Sequence, residues 1–135
     1  MRILVCLKQV PDTLDVQLTE DFTLRREHVA QVMNPADESA LELSLALRDR
    51  LGGTVTAITM GPPRAEGMLR EALSLGVSSA VLLTDPAFAG ADTLATATTL
   101  HAAIAALGGF DLILCGRRAA DGETGQVGPM LAALL

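Results

Sequence analysis

Trp and Tyr are absent from the 135 residues and three Phe make up the 2% aromatic share, although half of the chain is hydrophobic. The core must therefore be assembled from Leu, Val, Ile and Ala, which suits layered α/β packing. No Trp or Tyr is available to stack on a planar ligand. Cysteine and histidine number two each. Cys6 and Cys115 lie far apart in sequence and outside any Cys-x-x-Cys pattern, so neither a disulfide framework nor a zinc cage has support. Both read as buried strand residues rather than reactive thiols, in a reducing, cytoplasmic setting. His28 and His101 are isolated, and no metal site is expected. Cationic charge is scarce as well: ten Lys and Arg against sixteen Asp and Glu leave a net charge of −6. That balance argues against the clustered basic surface that nucleic acid requires. No apolar run approaches the ~20 residues of a membrane-spanning helix. Lys8, Pro11 and Asp12 interrupt the apolar start before a signal-peptide cleavage site. Neither membrane insertion nor a nucleic-acid partner is expected.

What is present is an alternation of strand-like and helix-like segments. Arg2 to Lys8 is a compact apolar run closed by Pro11-Asp12, as in a buried parallel strand. Val16 to Val32 is charged and weakly alternating, suited to an exposed hairpin or irregular excursion. Asn34, able to accept hydrogen bonds from free amides, precedes Pro35 and the acidic Asp37-Glu38, which together mark a helix start. Ala36, Ala40, Leu43, Leu47 and Leu51 form its expected apolar stripe, and Gly52-Gly53 ends it. Thr54 to Met60 reads as a strand, and Gly61-Pro62-Pro63 opens a helix with Ala65, Leu69, Ala72 and Leu73 inward. Ala80 to Leu83 is a further strand. The next helix, capped by Asp92, carries Leu94, Ala97, Leu100, Ile104 and Leu107 on one face. Asp111 to Cys115 is the last strand, and a final helix is expected from near Thr124. Repeated strand-helix order predicts one domain over residues 1–135. Its fold class is α/β: an open, doubly wound, mostly parallel sheet with ligands outside the strand C-terminal ends. The uncapped apolar end, Met130 to Leu135, suggests a chain truncated at its C-terminus.

The stretch from Gly116 to Pro129 places small residues between a strand end and a helix start. Its backbone amides, with the Thr124 hydroxyl and the Gln126 amide, could face a phosphate, or the stretch could be a plain glycine-rich turn. Neither the Gly-x4-Gly-Lys-Ser/Thr nor the Gly-x-Gly-x-x-Gly fingerprint is present, which disfavours ATP hydrolysis. Asn34 to Asp37 could meet an adenine or ribose, or merely cap a helix. Met60-Gly61 could let a ligand approach the backbone, or merely end a strand. No nucleophile and base are paired, so the chain is expected to catalyse nothing by itself, and any redox step belongs to a bound cofactor.

Taken together, Ile3-Leu-Val-Cys-Leu-Lys-Gln-Val-Pro-Asp12, Met33-Asn-Pro-Ala-Asp-Glu38, Met60-Gly-Pro-Pro63 and Asp121-Gly-Glu-Thr-Gly-Gln126 closely resemble the beta subunits of electron transfer flavoproteins. Arg70-Glu-Ala-Leu-Ser-Leu-Gly76 and Phe88-Ala-Gly-Ala-Asp-Thr93 extend the resemblance over nearly the whole chain. It implies an adenine-nucleotide-binding, Rossmann-like fold, an electron-carrier role beside an alpha subunit, and a dehydrogenase or other redox partner. The implied pocket comprises Cys6, Asn34, Pro35, Ala36, Asp37 and Met60, with Asp121, Gly122, Glu123, Thr124, Gly125, Gln126 and Val127 around phosphate. Ordinary members hold AMP there and bifurcating members a second FAD. The compact Asp121-to-Gln126 loop resembles the FAD-holding, bifurcating type, in which the flavin takes a hydride from NADH and divides its electrons. Family members continue well beyond Leu135. The competing expectation is a stand-alone ATP- or AMP-binding module of the universal-stress type, whose later Gly-Ser/Thr element is missing here.

Overall fold

Ile3, Leu4 and Val5 have no exposed surface at all, and their burial on both sides organises the molecule. The computed structural model describes residues 1–12 and 30–135. Strand β1 (Arg2–Cys6) lies between β4 (Thr54–Met60) and β6 (Leu112–Cys115), with β5 (Ser79–Leu83) beyond β4. All three pairings are parallel. A short antiparallel pair, β2 (Gln9–Pro11) and β3 (Gln31–Met33), stands apart from this sheet. The excursion expected over Val16 to Val32 lies outside the described residues as far as residue 29.

Alternation along β1 sorts the two cores. Ile3 and Val5 pack with Ala40 and Leu41 of α1 (Pro35–Leu51) and with Met68, Leu69 and Ala72 of α2 (Glu66–Leu75). Leu4 points the other way, to Ala97, Leu100 and Ile104 of α3 (Thr93–Ala106) and Leu131 of α4 (Val127–Leu134). A sheet covered on both faces is the reason β1 reads as an unbroken apolar run instead of an alternating one. Each fully buried aliphatic side chain contributes about 1.5–3 kcal/mol. Among the described residues no helix is long and apolar enough to cross a membrane.

Four sequence expectations are corrected. The buried stripe of α1 is Asp37, Ala40, Leu41 and Ser44, while Leu43 and Leu51 are 49% and 60% exposed. The helix is rotated toward its polar first turn because the Asp37 carboxylate is bonded beneath it. Asn34 makes no side-chain cap; its backbone carbonyl accepts from the amides of Asp37 and Glu38, at 2.9 and 3.1 Å. On α2 and α3, Leu73 and Leu94 face outward, and Met68 takes the inward place. Finally, α4 starts at Val127 instead of near Thr124, because Glu123 and Gly125 adopt left-handed backbone angles, φ +53° and +63°, that no right-handed helix accommodates. The Asp92 cap holds as read, its carboxylate accepting from the Ala95 amide at 2.8 Å.

The order β5-β4-β1-β6 reverses direction at β1. Chain connections after β1 and after β6 therefore depart to opposite faces and leave a crevice between the two strand ends, where open α/β sheets place ligands.

Candidate functional site

Cys6 and Cys115, the last residues of β1 and β6, are register partners at the crevice floor. Separated by most of the sequence, they are brought side by side by the parallel pairing, which sequence spacing could not show. The neighbouring Cys115 thiol, with burial acting in the same direction, pushes the Cys6 thiol well above its ordinary range, and the closeness of Cys6 lowers that of Cys115.

The first turn of α1 fills the space behind this pair. Asp37, 7% exposed, accepts the Lys8 amide at 2.8 Å and also the Gly116 amide, so one carboxylate ties together the segments leaving β1 and β6. Burial pushes its pKa up to about 6, against the opposing pull of the Asn34 side chain first and then of those two amides and the Lys8 charge. Gly116 is required by this closeness: a Cβ there would overlap the Asp37 carboxylate and stand 2.8 Å from the Ala36 carbonyl carbon and the Asp37 amide nitrogen.

Asn34, 1% exposed, holds the next stretch of loop. Its side-chain amide donates to the Arg118 carbonyl and its carbonyl accepts from the Ala120 amide, both at 2.9 Å. These paired bonds reproduce a strand-like contact between one side chain and the backbone, fixing the loop's height above the sheet. Asn34→Ala is expected to remove both bonds and to cost about 2 kcal/mol of stability. Equal urea midpoints for variant and parent would refute this tie.

Beyond it, Lys8 Nζ reaches Asp121 Oδ1 at 2.8 Å across the mouth, and the same oxygen accepts the Gly122 amide at 2.7 Å. Although burial raises the Asp121 pKa, these donors win and hold it below the usual carboxylate value. Among the described residues the amides of Thr124 and Gly125 have no internal partner, and a Cβ at Gly122 would meet open space. The Thr124 hydroxyl stands 3.5 Å from the Gln126 amide.

The residues singled out from sequence thus occupy several places. Cys6, Asn34, Pro35, Ala36 and Asp37 gather at the crevice with Asp121, while Gly122 to Val127 form its upper rim and the start of α4. Met60 stands one strand away, at the end of β4, where it lines an open cleft of about 360 Å³ with Phe88, Ala91, Asp92, Ala95 and Thr99. Lys8 and Gly116 were not singled out as site residues. Lys8 is legible only as the first charge after the β1 run, and Gly116 only as the glycine directly after β6. Among the described residues no cluster of metal-ligating side chains is present.

An open parallel sheet that reverses at β1, with a tethered polar loop over the strand ends, is the doubly wound α/β arrangement in which ligands generally lie outside the strand ends. More narrowly, the chain belongs to the electron transfer flavoprotein domain family, whose model matches residues 21–135. It is 53% identical over 133 residues to the electron transfer flavoprotein subunit beta of Clostridium acetobutylicum, covering 98% of this chain and 51% of that protein. The acryloyl-CoA reductase electron transfer subunit gamma of Anaerotignum propionicum is 51% identical across the whole chain, which covers 52% of it. Protein FixA of Azorhizobium caulinodans is 48% identical, again across the whole chain and 50% of its own length. The chain spans about half the length of the curated relatives it matches.

Proposed function

We propose that this chain is the nucleotide-holding part of an electron transfer flavoprotein beta subunit, with FAD at the β1/β6 crevice and AMP as the alternative occupant. The observation that carries the reading is the rim from Asp121 to Gly128. It combines unpartnered amides at Thr124 and Gly125, the N-terminus of α4 and the nearby Lys8 ammonium. That donor set suits the phosphates shared by FAD and AMP. A bound flavin would supply the electron transfer itself.

The chain's own residues do the holding. Asn34 and Asp37 spend their side chains on the loop and strand exits, so they set the shape of the pocket and leave ligand contacts to backbone and rim. The Lys8 ammonium is held by the Asp121 carboxylate until a phosphate competes for it. An alpha subunit and a dehydrogenase or other redox partner complete the carrier in this reading, as the relatives' names as electron-transfer subunits suggest. Family membership leaves the stand-alone ATP-binding module without an observation in its favour.

Gly125 offers a direct test. Its φ of +63° excludes a β-branched residue without strain, and a Cβ would lie 3.4 Å from the Arg117 carbonyl. Gly125→Val is expected to weaken FAD or AMP binding about tenfold or more, a change of about 1.4 kcal/mol. Titration calorimetry with each nucleotide reads it. Undiminished affinity in a folded variant would remove the rim from the site. For the occupant, nucleotide is extracted from the beta chain co-produced with its alpha partner. Two FAD per heterodimer support the FAD assignment, one FAD with one AMP replaces it by AMP, and no nucleotide on the beta chain overturns both.

A further inference from the structure

The strands β1 and β6 place Cys6 opposite Cys115 in direct register. Neighbouring strands run about 4.8 Å apart, inside the range of Cα separations, roughly 4.4–6.8 Å, that a disulfide spans. Both side chains point to the same face, since both pack against the cluster built on Leu4, Ala97 and Ile104. The two thiols are close enough to perturb each other's ionisation. Each residue is the terminal one of its strand. As whole residues, both retain partial exposure. Gly128 of α4 lies close to Cys115: a Cβ there would be 3.5 Å from the Cys115 Cβ and 4.0 Å from its Sγ.

We propose that Cys6 and Cys115 form a two-electron oxidation site, in which a small-molecule disulfide converts the two thiols into one inter-strand disulfide at the floor of the crevice. The Cys115 thiolate, stabilised by the Cys6 S–H, attacks one sulfur of the oxidant; its S–S bond breaks and one thiolate leaves and takes up a proton. Cys6 then loses its proton to solvent and attacks the Cys115 sulfur, expelling the second half of the oxidant as a thiol. Two protein thiols are oxidised, and one small disulfide is reduced to two thiols. The site rests on the strand register and the shared face of the two residues, and is independent of which nucleotide the crevice holds.

The test uses the full chain, reduced and then exposed to oxidised glutathione under native conditions. Intact mass, thiol titration and peptide mapping of the alkylated, unreduced digest are followed. The expected result is joint loss of both thiols, no lasting glutathione adduct, and a Cys6–Cys115 linked peptide that dithiothreitol releases. Cys6→Ser should stop at a stable mixed disulfide on Cys115, whereas Cys115→Ser should react roughly tenfold more slowly at Cys6. Persistent glutathione adducts on both cysteines, bridges between two chains, or unreacted thiols in the folded chain would each overturn the proposal.

Discussion

Gly116→Ala is expected to lower stability by about 3 kcal/mol, or to prevent folding, while Gly122→Ala six residues later changes it by less than about 1 kcal/mol. The two substitutions add the same methyl group to the same loop. At Gly116 that group would overlap the Asp37 carboxylate and the backbone of the first turn of α1, whereas at Gly122 it would meet nothing within 4 Å. The carboxylate is held by the Lys8 amide and the other two contacts are backbone atoms, so none can simply swing aside. Relief therefore requires α1 to retreat from β6, which breaks the carboxylate's bonds to Lys8 and Gly116. Urea unfolding of both variants beside the parent measures the difference. Matching midpoints for the two variants would show that α1 does not press on the β6 exit.

The second large effect is a dependence of stability on pH set by Asp37. Burial raises its folded-state pKa to about 6 from 3.8, so the folded chain binds a proton more readily than the unfolded one between those values. The associated stability is fully present below the unfolded value and is lost as pH rises through about 6. A shift of that size corresponds to on the order of 2–3 kcal/mol. Asp37→Asn removes the titration. The difference in unfolding free energy between parent and variant is expected to fall as pH rises from 4.5 to 7 and then to level off. Asp121 works in the opposite direction, because its lowered pKa stabilises the ionised form; its contribution is lost at more acid pH and is common to both proteins. Parallel curves for parent and variant would show that Asp37 titrates normally.

Both effects sit where the sequence was hardest to read. The Met33-to-Glu38 stretch was legible as a helix start because Pro35 and the acids that follow are local signals. What Asn34 and Asp37 bond to was not legible, since their partners, Arg118, Ala120, Lys8 and Gly116, come from other segments. The late start of α4 escaped for a different reason. Gly125 announces conformational freedom, but the left-handed angle at Glu123 is imposed by the loop's tethers and carries no residue signal.

By itself the sequence determined the strand-helix alternation, the parallel sheet and the region of the crevice. Apolar runs, helix periodicity and glycine stops are properties of a residue and its near neighbours. Only the tertiary structure decided that Leu43, Leu51, Leu73 and Leu94 face outward, that Lys8 meets Asp121, and that Cys6 lies against Cys115. Helix rotation is set by which side chains find buried partners, and strand order by where the crossovers return. Both are fixed by contacts between residues far apart along the chain, which no local pattern records.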